Sequence, residues 1–206
     1  MSNNNYTDIT FILDRSGSMI PIKQDVIGGF NSFITEQKAL PGKLKVTLVQ
    51  FDNVYEAVFV AKSVDQVPVL DSNSYQPRGS TALLDAIGRT INDTGARLRR
   101  MSEKDRPAKV LVIIYTDGQE NASNEFTKDK IKEMIQHQEG AYSWQFAYLG
   151  ANQDSFAEAS MIGIDVGATI NWKADKDGVP QIYNSLCESV ASYRSAAAGT
   201  RYSISK

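Results

Sequence analysis

Ile9-Thr10-Phe11-Ile12-Leu13-Asp14-Arg15-Ser16-Gly17-Ser18 is the stretch on which the reading of this chain turns. Residues 9–13 are mostly apolar, continuously so at Phe11-Ile12-Leu13, as in a strand covered on both faces. Beyond it, Ile22, Val26, Phe30, Phe33 and Ile34 recur at helical spacing, and Pro21 suits a helix first turn. Asp14, Ser16 and Ser18 therefore stand where a strand gives way to a helix. In an open α/β sheet that loop lies at the carboxyl end of its strand, where such folds bind ligands.

Two later pieces join it. Gly79-Ser80-Thr81 opens a helix, with Thr81 placed to cap it, and Thr116-Asp117-Gly118 closes the very apolar run Val-Leu-Val-Ile-Ile-Tyr at 110–115. Together the three loops offer the hydroxyls of Ser16, Ser18 and Thr81 and the carboxylates of Asp14 and Asp117. Such a set suits a hard divalent cation: Mg²⁺ takes oxygen ligands in near-octahedral geometry and keeps several waters, with Mn²⁺ or Ca²⁺ as alternatives. Two carboxylates leave the cation electrophilic, open to a carboxylate from outside. No His or Cys falls in these motifs, which disfavours zinc.

The rest of the chain supplies a frame. Residues 44–51 and 55–60 read as strands joined by the tight-turn pair Asp52-Asn53, an antiparallel hairpin. Residues 63–70 read as a short helix interrupted by Pro68, and 71–79 as a loop. Leu84, Ile87, Ile91, Leu98 and Met101 mark the buried stripe of the next helix, whose basic end (Arg97, Arg99, Arg100, Lys104) reads as a solvated C-terminal turn. A helix from Thr127, a strand over 144–149, a helix over 155–161, a strand over 168–172, a turn at Asp177-Gly178 and a helix carrying Ile182, Tyr183, Leu186, Val190 and Tyr193 complete the order. Strands alternate with helices after the hairpin, which predicts an α/β fold: a central, mostly parallel sheet, helices on both faces and one antiparallel edge. The whole chain, 1–206, reads as one domain with its core over roughly 6–195 and a frayed tail over 196–206.

The order Asp14-x-Ser16-x-Ser18, then Thr81, then Asp117 resembles the metal-ion-dependent adhesion site of von Willebrand factor A domains, each part at the expected end of a strand or start of a helix. The resemblance implies a doubly wound, Rossmann-like sheet of six strands in order 3-2-1-4-5-6, with strand 3 as the antiparallel edge. It implies Ser16 and Ser18 as direct ligands, Asp14 and Asp117 acting directly or through water, and Thr81 joining according to conformational state. It implies Mg²⁺ or Mn²⁺, and a partner protein whose Asp or Glu completes the shell without catalysis. The Cys-flanked ends of extracellular members are absent, so the chain resembles the stand-alone intracellular bacterial or phage kind, some of which work beside an AAA-type ATPase.

Composition narrows the alternatives. The chain has 206 residues, 42% hydrophobic and 22% charged, and a net charge of -2. No basic excess exists to neutralise phosphates, so nucleic acid is not the expected partner, nor is a membrane surface. One cysteine, Cys187, excludes an internal disulfide, and no signal peptide or membrane-length apolar run is present, so a cytoplasmic protein is expected. Cys187, beside Leu186, reads as a buried thiol, and His137, in a polar stretch, as solvent-facing. A metal-dependent hydrolase or phosphoryl-transfer enzyme would use the same cation. However, an Asp14 nucleophile in the haloacid-dehalogenase manner needs a second Asp where Ser16 stands. Glu120 and Asn121 should rim the Asp117 loop, either as plain loop polarity or in support of the site. Tyr75, Gln76 and Arg78 precede the Thr81 loop, and Asn152 and Gln153 should open onto the same face. Trp172 and Tyr202 read as packing residues or as binding aromatics.

Overall fold

Apolar continuity in two strands decides the centre of the molecule. In the computed structural model, which describes residues 3–151, 154–173 and 178–204, β1 (Asn3–Asp14) and β4 (Pro107–Thr116) lie side by side, parallel, with 9–13 packed beside 111–115. Their apolar residues are almost wholly buried, as strands covered on both faces require. β2 (Lys43–Phe51) flanks β1, and β3 (Tyr55–Ser63) returns antiparallel to it. β5 (Gln145–Ala151) and β6 (Thr169–Trp172) extend the sheet on the other side, both parallel. The order is β3-β2-β1-β4-β5-β6, as the resemblance implies.

Side-chain alternation along β1 assigns the helices to faces. Phe11 meets Phe30 and Phe33 of α1 (Lys23–Ala39) edge-on, with ring centres 5.3 and 5.0 Å apart. α5 (Gly178–Ser195) shares that face: a Cβ on Gly29 of α1 would stand 2.0 Å from the Tyr183 ring, so glycine there permits the close approach. Asp8, on the opposite side of β1, faces α2 (Leu83–Arg99), which packs beside α3 (Lys128–Tyr142). α4 (Ser155–Met161) lies against β6. Among the described residues, no helix is long and apolar enough to cross a membrane.

Four local readings are corrected. The first helix does not begin at Pro21: a 3-10 segment, Gly17–Ile22, contains it, and α1 starts afterwards. Over 63–70 only Val64–Gln66 winds, as a 3-10 turn; Val67 is extended, as expected of a residue that precedes proline. Arg97 is not a solvated helix end. Its guanidinium holds both oxygens of the fully buried Asp8, at 2.9 and 2.7 Å. Nor does the described segment after α5, up to Ile204, stand clear of the fold. Tyr202 and Ile204 are buried, Tyr202 donates its amide to Gln145 Oε1 at 2.8 Å, and Ile204 donates to the Gly167 carbonyl at 2.9 Å. The turn expected at Asp177-Gly178 falls partly outside the described residues, and Gly178 already belongs to α5.

The end of α5 is held from the sheet. Lys109 on β4 donates its ammonium to the carbonyls of Tyr193 (2.7 Å), Arg194 (2.9 Å) and Ala196, placing a cation where a helix leaves carbonyls unpaired. Arg194 in turn donates to the carbonyls of Gln37, in the last turn of α1, and of Pro41 just beyond it.

Arg97→Ala strands the Asp8 carboxylate in the interior, and urea unfolding should show a loss of about 3–5 kcal/mol. The Arg97→Ala/Asp8→Asn pair should lose less, because no buried charge is then left alone. A single variant as stable as the parent would remove this ion pair from the account of the fold.

Candidate functional site

Register brings three strand ends to one edge: Asp14 of β1 lies opposite Phe51 of β2, and Leu13 opposite Tyr115 of β4. The loops leaving these strands, together with the segment before α2, build the site. Asp14 is fully buried. One carboxylate oxygen accepts the Ser16 amide at 2.6 Å and the other accepts the Thr116 hydroxyl at 2.6 Å. Its own carbonyl accepts the Tyr75 hydroxyl at 2.6 Å. Burial pushes the Asp14 carboxyl up to about 6, although those hydrogen bonds pull the other way.

The backbone turns tightly after Asp14, the Met19 amide reaching the Ser16 carbonyl at 3.1 Å. This winding sets the Ser16 and Ser18 hydroxyls 3.0 Å apart, and Ser18 donates to Asp117 Oδ1 at 2.6 Å. Burial also raises the Asp117 carboxyl above its ordinary range. Thr81 closes the ring. A Cβ on Gly118 would stand 2.9 Å from the Thr81 hydroxyl oxygen and 3.4 Å from that of Ser18, so the bare glycine leaves a cradle between them. Asp14, Ser16, Ser18, Thr81 and Asp117 are thus brought together, Ser18 exposed and the cradle open to solvent on its side.

The donor set and its spacing fit an octahedral cation. With metal–oxygen bonds of 2.0–2.1 Å, adjacent corners of a Mg²⁺ shell lie about 2.9 Å apart. The neighbouring oxygens, 3.0 Å apart for Ser16–Ser18 and 2.6 Å for Ser18–Asp117, are spaced on that scale. Among the described residues no cluster of three or more His, Cys, Asp or Glu occurs, so the set is one of hydroxyls with two carboxylates.

Charged and amide side chains hold the loops in place. Arg15, between the ligand-like positions, turns inward and is buried, donating to Asp52 Oδ2 at 3.2 Å and Glu56 Oε2 at 2.5 Å. Asp52, also buried, accepts Arg78 Nε at 3.0 Å, and its carbonyl takes the Ala82 amide at 3.0 Å. The Arg78 amide donates to the Arg15 carbonyl at 2.7 Å, and the Gly17 amide to the Gly79 carbonyl at 3.1 Å. Gly79 adopts φ +69, a conformation that favours glycine. From the other side, Asn121 exchanges two bonds with Thr81, accepting its amide at 2.9 Å and donating its own at 3.1 Å.

Thr81 does not cap the helix after it. The first amides of α2 are taken by a distant loop instead: Leu84 donates to Glu120 Oε2 at 2.9 Å and Asp85 to Ser123 Oγ at 3.1 Å. Glu120 therefore serves as the cap, and the Thr81 hydroxyl stays in the cradle. Local reading missed Thr116, Arg15 and Asp52. A hydroxyl at the end of the strand beside Asp14 was the available signal for Thr116; no local signal marks the other two as a pair. Trp172 packs on Tyr115, with ring centres 5.2 Å apart, and is buried. Asn152 and Gln153 lie outside the described residues. His137 is exposed on α3, far from the serines, and burial pushes the Cys187 thiol up to about 12. Neither His137 nor Cys187 therefore bears on Ser16 or Ser18, whose titratable neighbours are the Asp14 and Asp117 carboxylates.

Comparison with curated protein sequences finds no match. Solved structures are similar in fold. Proximal thread matrix protein 1 of the mussel byssus aligns over 92% of this chain at 16% identity and a TM-score of 0.62. This chain covers only 47% of that one, about half its length. A second structure of the mussel protein, described as having a zinc-occupied MIDAS motif, aligns at 17% identity and a TM-score of 0.61, over 92% of this chain and 47% of that one. Manganese-loaded TRAP protein of Plasmodium vivax aligns over 84% of this chain and 71% of its own, at 18% identity and a TM-score of 0.55. The profile of the von Willebrand factor type A domain matches residues 8–176, from the buried Asp8 on β1 to beyond β6, and the chain belongs to that family.

Proposed function

We propose that this chain is a divalent-cation-dependent protein-binding module, which holds Mg²⁺ or Mn²⁺ among Ser16, Ser18, Thr81, Asp14 and Asp117 and takes an Asp or Glu carboxylate from a partner protein. The observation that carries this reading is the solvent-open cradle at Gly118, walled by the hydroxyls of Ser18 and Thr81. When bound, the cation supplies an electrophilic centre for the partner's carboxylate. Asp14, with both oxygens engaged, orients the Ser16 backbone and supplies charge from below. Asp117 supplies the second charge beside Ser18. Since these are the only two carboxylates in the set, an incoming anion improves the charge balance.

Calorimetric titration of Mg²⁺ and Mn²⁺ into chelator-stripped protein tests the site. Saturable binding is expected in the parent and should vanish in Ser16→Ala/Ser18→Ala; equal binding in both would sink the assignment. Hydrolysis of a phosphate ester that is lost in Asp14→Ala would replace the module by an enzyme.

Two further outcomes follow from the geometry. Thr116→Val removes the hydroxyl that orients Asp14 and should weaken cation binding about 10–100-fold, and it should also lower the thermal midpoint of the cation-free protein, because a buried Asp14 oxygen loses its partner. Affinity should also depend on pH. The proton competes with the cation for Asp14, whose carboxyl in the folded chain stands at about 6. Binding is therefore full near neutrality and falls as pH drops through 6. Without cation the sign for stability is opposite: ionising a buried carboxyl is unfavourable, so the free fold weakens as pH rises from the unfolded value near 4 towards 6. The gain in thermal midpoint on adding Mg²⁺ should accordingly be larger at pH 7.5 than at pH 5; the reverse order would mean that Asp14 is not part of the cation's surroundings.

A further inference from the structure

At the other end of the sheet, α2 and α3 separate. Near the start of α2 the gap is closed, since a Cβ on Gly88 would stand 2.7 Å from the Phe126 ring. Two turns on, nothing lies within 4 Å of a Cβ on Gly95, and a cavity of about 620 Å³ opens between the helices, the beginning of β4 and Trp144. Its size is that of small-molecule sites, which are mostly apolar with a few placed polar groups. It lies at Pro107, whereas the cation cradle lies past Thr116 at the far end of β4, about 30 Å away by strand rise.

The lining has a definite chemistry. Trp144 is buried at the floor, while Tyr142 is 62% exposed at the mouth with the His137 ring edge-on to it at 5.7 Å. Arg99 and Arg106 also line the cavity, and no Asp or Glu does. Arg106 is fixed in place: its Nε donates to the carbonyls of Leu98 (3.1 Å) and Met101 (3.2 Å), which covers the negative end of α2. Arg99 is exposed and has no carboxylate within ion-pair reach among the described residues. A cavity with an indole floor, a phenol wall and a cationic rim without counter-charge is complementary to an aromatic ring that bears an anion.

We infer that this cavity is a second binding site, for a small aromatic carboxylate whose ring stacks over Trp144 and Tyr142 and whose anionic group meets Arg99 and Arg106. The site is independent of the cation cradle, so failure of either leaves the other standing.

Fluorescence titration with 8-anilinonaphthalene-1-sulfonate, followed by displacement with 2-naphthoate or the neutral 2-naphthamide, tests it on the intact chain. One saturable site is expected, displaced by naphthoate and not by naphthamide. Gly95→Leu puts a side chain into the cavity at a helical position with free space, so its thermal midpoint should not fall. Its probe affinity should drop roughly tenfold or more. Arg99→Glu, at an exposed position, should weaken both anions roughly tenfold. Unsaturable probe binding, or affinity unchanged in Gly95→Leu, would overturn the site. Equal displacement by the neutral amide, or indifference to Arg99→Glu, would overturn its anionic specificity.

Discussion

Asp14 carries a carboxylate that solvent does not reach, at the last position of a central strand. A buried carboxylate is tolerated only where hydrogen bonds meet it, and here the partners that meet it also shape the loop. The Ser16 amide folds back on one oxygen, which starts the tight turn, and the neighbouring strand supplies Thr116 for the other. Its backbone carbonyl, in turn, is met by Tyr75 from the loop before α2. The requirement to satisfy one group thus draws three segments to one point, and the hydroxyls arrive at the cradle because of it.

A second buried charge continues the logic. Asp52 sits at the end of β2 with two guanidiniums on one oxygen. Arg15 and Asp52 are both buried and each needs the other's charge, so the arrangement favours a single relative position for the hairpin turn, the first loop and the segment that leads to Thr81. Asn121 then fastens Thr81 to the Asp117 loop. A set of weak neutral ligands such as serine and threonine hydroxyls depends on this kind of support, because none of them would fold around a cation unaided.

Much of this was legible before any coordinate. The succession of strands and helices follows from apolar runs such as 110–115 and from helical spacing in α1 and α2, because burial imposes those periods locally, whereas the order of the strands within the sheet is implied only by the family resemblance. The five side chains of the cradle stand at strand ends and before a helix, positions that patterning identifies. What patterning does not contain is pairing across distance. Arg97 looks like an ordinary helix-end cation until Asp8 is seen beneath it, and Glu120 looks like loop polarity until the first amides of α2 are seen to point at it. Tyr202 and Ile204 follow a run of small polar residues, and only the shape of the β5 and β6 end shows where they fit.

That last contact also fixes the polarity of the molecule as an object. Asn3 lies at the start of β1, beside Pro107, and the segment after α5 comes to rest against Gln145 and Gly167, where β5 and β6 begin. Both ends of the described chain therefore leave from the edge opposite the cradle. A linker, a fusion partner or a solid support joined at either end would present the cradle outward, like a cup held by its base.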